Sequence, residues 1–206
     1  MSGAQGDRWS RSAPLLLVPA VLVLDGVQQA RAWPVPVVGL LDEPAHLATA
    51  WLGLAALAPR SLSPRAWWAA LVASVVIDVD HVPLYLSDGA FSVDGGRPPT
   101  HTLVLAALLA VLAAPPRARW LLGVSAGVVL HLARDLVTGP GVPLLWPLVD
   151  GTLRLPYWSY AATLVALAVT ASARAARHGP PGTGLRGTRP WGRLDRPSAD
   201  PGRPAR

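Results

Sequence analysis

Six apolar stretches constrain this chain more than any other feature, because backbone buried in hydrocarbon must satisfy its own hydrogen bonds and can do so only as helices or a closed barrel. They run approximately Ala13–Ala30, Val35–Ala58, Ala66–Leu86, His101–Ala114, Trp120–Val137 and Tyr157–Ala173. Most approach the ~20 residues that a spanning helix needs. The runs are rich in Ala, Leu and Val without the alternation of a barrel strand, so the expected fold is all-α: a polytopic transmembrane helix bundle of about six spans. The range is four to six, because the first stretch carries Asp25, Gln28 and Gln29 near its end and the fourth is cut short by Pro115-Pro116. Arg8 and Arg11 precede the first stretch without a clean cleavage site after Asp25, which reads as an uncleaved first span.

Every basic residue is Arg, and the placement of these residues tests the span order, since cytoplasmic loops hold the excess of positive charge. With the N-terminus inside, Arg60, Arg65, Arg117, Arg119 and all arginines from Arg174 onward fall inside, while Arg31, Arg97 and Arg154 are left outside. The expected location is the inner (plasma) membrane, with both termini cytoplasmic. The same scatter lacks the basic, aromatic-interleaved patch of a nucleic-acid surface, so no nucleic-acid partner is expected. From His178 the composition turns to Gly, Pro, Arg and Ser. Two regions follow: a membrane domain over residues 1–177 and a disordered cytoplasmic tail over 178–206. The Gly-rich stretch Gly179–Gly184 lacks the Lys and Ser/Thr of a phosphate-binding loop, because Leu185 and Arg186 follow it.

Ionisable residues inside spans are costly, on the order of 2.5–3.5 kcal/mol each on insertion scales, and here they come in groups. The second span has Asp42, Glu43 and His46; the third ends in Asp78-Val79-Asp80-His81; the fourth opens on Thr100-His101-Thr102; the fifth has His131, Arg134 and Asp135. Spacings of three and four put an imidazole beside a carboxylate on one helix face. Under the span order above, the groups fall toward one level of the bundle. With no cysteine in the chain, a metal there must use imidazole and carboxylate. Thr102 and Thr138 read as backbone-bonding residues, and Trp67, Trp68, Trp120 and Trp158 as interfacial anchors.

In this order and spacing, His46, Asp78-Val79-Asp80-His81, Arg97-Pro98-Pro99-Thr100-His101-Thr102 and His131-Leu132-Ala133-Arg134-Asp135 resemble the motifs of the YdjM-like family, membrane-bound metal-dependent hydrolases described as LexA-regulated in some bacteria. The likeness covers roughly Asp42 to Pro147. Two positions depart from it: Ile77 stands where a Pro usually precedes Asp-x-Asp-His, and a first His is absent from the segment beginning at Gly96-Arg97. The resemblance implies a hydrolase.

The residues then take expected roles. His46, Asp78, Asp80, His81, His101, His131 and Asp135 are the candidate metal ligands or the residues that orient them. The metal is a divalent ion, zinc as first choice and manganese or iron as alternatives. Asp80 or Glu43 would act as general base, and Arg97 and Arg134 would clamp a phosphate oxygen. The reaction would be hydrolysis of an ester or phosphoester in a lipid or lipid-linked substrate by a metal-activated water. The alternative is ion or proton translocation through the same His/Asp cluster.

Overall fold

The computed structural model describes residues 3–58, 62–87 and 89–178. The tail that begins at Gly179, its Gly-rich stretch included, lies outside the described residues, as do Arg60 and Asp88. The chain folds as helices α1 (Gly3–Gln29), α2 (Val35–Leu57), α3 (Pro64–Val76), α4 (His81–Leu86), α5 (Leu103–Leu112), α6 (Leu121–Asp135) and α7 (Tyr157–His178). Among the described residues there is no strand, only one isolated bridge between Val142 and Leu153.

Local chemistry accounts for several of the boundaries. The Ser63 hydroxyl accepts from the Ala66 amide at 3.2 Å with Pro64 in the first turn, which starts α3. Thr102 does the same for α5, accepting from the Val104 amide at 3.1 Å. Pro115 and Pro116 prevent α5 from continuing. A 310 turn over Ile77–Asp80 joins α3 to α4, so Pro64–Leu86 forms one 23-residue apolar rod.

Among the described residues, three helical segments are long and apolar enough to cross a membrane: Ser12–Gln29, Pro64–Leu86 and Tyr157–Arg177. Length and apolarity alone thus confirm three of the expected six or so, and the others fall short for definite reasons. α2 has the length, at 23 residues, but Asp42, Glu43 and His46 lower its hydropathy. α5 and α6 have only 10 and 15 residues. The rim of the bundle is apolar, with Leu16, Val23, Val72, Val111 and Val169 all more than half exposed. Such a surface suits lipid rather than water.

α2 is the central helix, packing against α1, α3, α6 and α7. Val18, Val21, Ala45, Leu52, Leu164 and Ala168 make its core with α1 and α7, and Ala50, Leu54, Ala70 and Leu71 its core with α3. α3 and α6 lie side by side and approach most closely at small residues. A Cβ on Gly123 would strike the Ala66 carbonyl, and one on Gly127 the Ala70 carbonyl. Without hydrocarbon-driven association between helices in a bilayer, such close backbone contact is what holds them together.

Candidate metal centre

The α3–α6 contact proceeds in steps of four. Gly123 meets Ala66, Gly127 meets Ala70, and one step further His131 Nδ1 lies 2.9 Å from the Ser74 carbonyl. The next step reaches Asp135 and Asp78, and both carboxylates lie against His131 Nε2, at 3.2 and 3.4 Å. A ladder of small residues thus ends in a ladder of ligand types. Ser74 lies in the last turn of α3, where helical carbonyls lose their intrahelical partners. A carbonyl can only accept, so in this contact His131 Nδ1 donates, and in the neutral imidazole Nε2 then presents a lone pair to the interior.

Around His131 the sequence-distant groups converge. Its Nε2 is 3.2 Å from Nε2 of His101, which sits just ahead of α5. His101 Nε2 is 3.6 Å from Asp135 Oδ2 and 3.1 Å from Asp78 Oδ1. Three ligands bound at the ~2.0–2.1 Å of zinc with nitrogen or oxygen stand about 3.3–3.4 Å apart at tetrahedral angles. The triad His101, His131 and Asp135 spans 3.2 to 3.6 Å. Its members are all buried, and their donor atoms fit a shared cation.

Asp78 links this triad to a second group. Its Oδ1 lies 3.2 Å from His81 Nδ1, and Asp80 Oδ1 approaches the same nitrogen at 3.0 Å. Asp80 Oδ2 accepts from the Thr100 hydroxyl and faces His101 Nδ1 at 3.3 Å. That contact lets Asp80 hold His101 with Nε2 turned to the triad. Asp78, Asp80, His81 and His101 form a second set able to hold a metal ion, and His46, Asp78 and His131 a third. His46 stacks on His131 with ring centroids 3.9 Å apart. Its Nε2 is 3.6 Å from both Asp42 Oδ2 and Asp135 Oδ1. Both of its ring nitrogens are buried without a hydrogen bond, which marks a place for a donor or a cation.

The metal-ligand candidates read from the sequence thus all converge on this centre. Glu43 lines an adjoining cleft of about 330 Å³ with Asp42, Asp78, His81, Tyr85 and Arg97. Its Oε2 is buried without a hydrogen-bond partner. Arg97 reaches in from the α4–α5 connection to Asp135 Oδ2 at 3.0 Å. Its remaining nitrogens lie 3.4 Å from the carbonyls of Thr138 and Gly141.

Arg134 lies elsewhere than a phosphate clamp would. It is fully buried and holds Asp25 at 2.8 Å, Asp42 at 2.5 Å and the Tyr160 hydroxyl at 3.3 Å, so both of its terminal nitrogens are held by the chain itself. Asp25 also accepts from Tyr157 at 2.7 Å. Sequence reasoning treated Asp25 only as a weakness of the first span and gave Tyr157 and Tyr160 no role. The available signal was an unpaired intramembrane carboxylate together with an unpaired intramembrane arginine.

The loop after α6 supports the centre from above. Thr102 donates its hydroxyl to the carbonyls of Leu144 and Trp146 at 2.8 and 2.9 Å, which ties His101 to that loop. Thr138 bonds back to the Arg134 carbonyl at 3.3 Å, as a backbone-bonding threonine should.

A helical membrane protein with a buried histidine–carboxylate centre able to hold a metal ion is the class that fold and site define. The chain matches the YdjM inner membrane protein family over residues 41–188 and belongs to it. That match begins just before Asp42 and extends beyond Pro147 through α7. No curated protein and no solved structure matches the chain.

Proposed function

We propose that this protein is a membrane-embedded, metal-dependent hydrolase that cleaves an ester or phosphoester in a lipid or lipid-linked substrate. The observation that carries the proposal is the triad His101, His131 and Asp135, with edges of 3.2 to 3.6 Å and Nε2 of His131 freed by the Ser74 carbonyl. Three protein ligands with a fourth position left over is the catalytic pattern for zinc, whereas structural sites close all four. Zinc suits this nitrogen and oxygen donor set, and manganese or iron are the alternatives. Charge supports the same reading. Among the described residues, Asp25, Asp42, Glu43, Asp78, Asp80 and Asp135 face only Arg97 and Arg134 as permanent cations near the centre. Asp25 and Asp135 are buried and the other four half-buried; carboxylates withdrawn from water without full compensation are costly, and a divalent cation offsets that cost.

When bound, such an ion would lower the pKa of a water toward ~7 and would polarise the oxygen of the scissile group. The chain does the rest. Glu43, with a free buried oxygen at the cleft, accepts the water's proton. Asp80 and the Ser74 carbonyl hold the imidazoles in register. Arg97 steadies Asp135 and lines the cleft, where the N–H groups that its contacts to Asp135, Thr138 and Gly141 leave over can meet a phosphate oxygen. Ion translocation is the weaker reading, because α2 beyond Thr49 buries Ala50, Leu52, Leu54, Ala55 and Ala56 rather than continuing a polar path.

In this reading the chain crosses the inner membrane about six times with both termini cytoplasmic, and residues 1–177 form the membrane domain. The arginine distribution supports that order. The short α5 is completed by the turn before it, whose Pro98, His101 and Thr102 are buried in protein, where irregular backbone is admissible at membrane depth. The site then lies toward the outer face.

The test is metal content and hydrolysis measured together on the purified full chain. Wild type should carry stoichiometric metal, lose it to a strong chelator, and hydrolyse lipid phosphoesters only when loaded. His101→Ala and His131→Ala should carry none. Metal-free wild type, or metal unchanged in both variants, would sink the proposal.

A further inference from the structure

Beside the metal cleft lies a larger hollow of about 560 Å³, formed where the ends of α1 and α6 meet the start of α7. The two hollows share Gln28, Thr138 and Gly139 in their walls, so they adjoin. Arg134 forms part of the partition, gripping Asp25 of the larger hollow and Asp42 of the cleft.

The charge in this larger hollow is unusual. Asp25 is its one carboxylate, and both of its oxygens are used, by Arg134 at 2.8 Å and Tyr157 at 2.7 Å. Arg154 is its one guanidinium, exposed and without a partner among the described residues. The carboxamides of Gln28 and Gln29 are likewise free of partners among the described residues. The other arginines at this end of the bundle are occupied. Arg31 stacks on Trp33 at 3.6 Å and Arg97 pairs with Asp135 at 3.0 Å. One unpaired guanidinium flanked by neutral amide donors in a concave site is suited to an oxyanion, phosphate above all.

The rim of the hollow narrows the source of that anion. Arg154 lies between Leu153 and Leu155, which are 47% and 39% exposed, and the same loop exposes Leu145, Leu148 and Val149. Apolar side chains displayed on an ordered loop beside a charged pocket fit a molecule with tails in the bilayer and an anionic head. We propose that this hollow is a headgroup subsite in which Arg154, Gln28 and Gln29 bind the phosphate of an amphiphile, seating it so that a separate ester reaches the metal cleft. As a substrate subsite it rests on the hydrolase reading; as a binding site it stands alone.

The test is native mass spectrometry of the detergent-solubilised full chain, metal-loaded and chelated, titrated with short-chain phosphatidic acid, the matching diacylglycerol, or inorganic phosphate. Phosphatidic acid should bind wild type at least tenfold tighter than Arg154→Gln, with Arg154→Lys intermediate and diacylglycerol indifferent to both changes. The difference should persist in the chelated protein, so failure of the metal reading leaves this result intact. Phosphatidic acid binding Arg154→Gln as tightly as wild type would overturn the subsite. Inorganic phosphate binding as tightly, with the same dependence on Arg154, would support the oxyanion site and overturn the amphiphile as its source. Arg154 is exposed, so its variants should fold; matched thermal midpoints would verify this.

Discussion

The Ser74 carbonyl stands 2.9 Å from His131 Nδ1, and this single contact joins helix packing to chemistry. It exists because α3 and α6 touch backbone to backbone one and two turns earlier, at Ala70 with Gly127 and Ala66 with Gly123. The glycines therefore set the height and direction of an imidazole in the metal-capable triad without belonging to the triad themselves.

Gly127→Val should separate the two helices. Its Cβ would meet the Ala70 carbonyl, which is backbone and cannot rotate aside. Overpacking of this kind costs about 1–3 kcal/mol, so the thermal midpoint in detergent should fall and bound metal should fall with it. Gly26→Ala, whose Cβ would meet nothing within 4 Å, should leave both measurements unchanged. A normal metal content in Gly127→Val would break the link between packing and site.

Glu43→Gln should separate binding from turnover. Glu43 belongs to none of the metal-capable groups, yet it keeps a buried oxygen free at the cleft. The variant should retain its metal while hydrolysis falls ~10²–10⁴-fold, the usual share of a general base. Equal activity in variant and wild type would remove Glu43 from the mechanism and return that role to Asp80.

Much of this was legible in the sequence, and what escaped shares one cause. Helices α2 and α7 begin at the expected Val35 and Tyr157, because proline and apolar length mark them locally. The members of the metal-capable groups were readable because carboxylate and imidazole recur at helical spacing within each segment. Pairings between segments were not readable. Nothing local says that Asp25 of α1 and Arg134 of α6 meet, since that depends on which helix faces are neighbours. The Gly123–Gly127 step is visible in the sequence, but its partner face on α3 is only a run of alanines with many possible registers. Hydropathy does not settle the count of about six spans for a related reason: a helix buried by its neighbours can be polar like α2 or short like α5 and still lie within the membrane.

Asp80→Asn should weaken metal binding without abolishing it. Asp80 reaches His101 through Nδ1 at 3.3 Å and accepts from Thr100. Removing a carboxylate that orients a ligand imidazole typically costs ~10–100-fold in metal affinity. Competition against a calibrated chelator should show a loss in that range, while His101→Ala shows no stoichiometric metal. A loss in Asp80→Asn as complete as in His101→Ala would make Asp80 a direct ligand in the second metal-capable group.

Arg134 distinguishes a clamp for substrate from a clamp for the fold. Its guanidinium is completely buried and closes a chain running from Asp25 through Asp42 to His46, with contacts of 2.8, 2.5 and 3.6 Å. Arg134→Met leaves the buried Asp25 and the half-buried Asp42 without their cation, and breaking a buried pair from one side costs about 3–5 kcal/mol. The variant should therefore lose stability first. Arg134→Met combined with Asp25→Asn should recover part of the loss, because one of the stranded charges is gone. The readout that separates the two roles is substrate dependence. A structural clamp predicts that Arg134→Lys lowers the thermal midpoint with KM for an anionic substrate unchanged. A raised KM at an unchanged midpoint would instead place Arg134 on the substrate, and the partition between the two hollows would have to open during turnover.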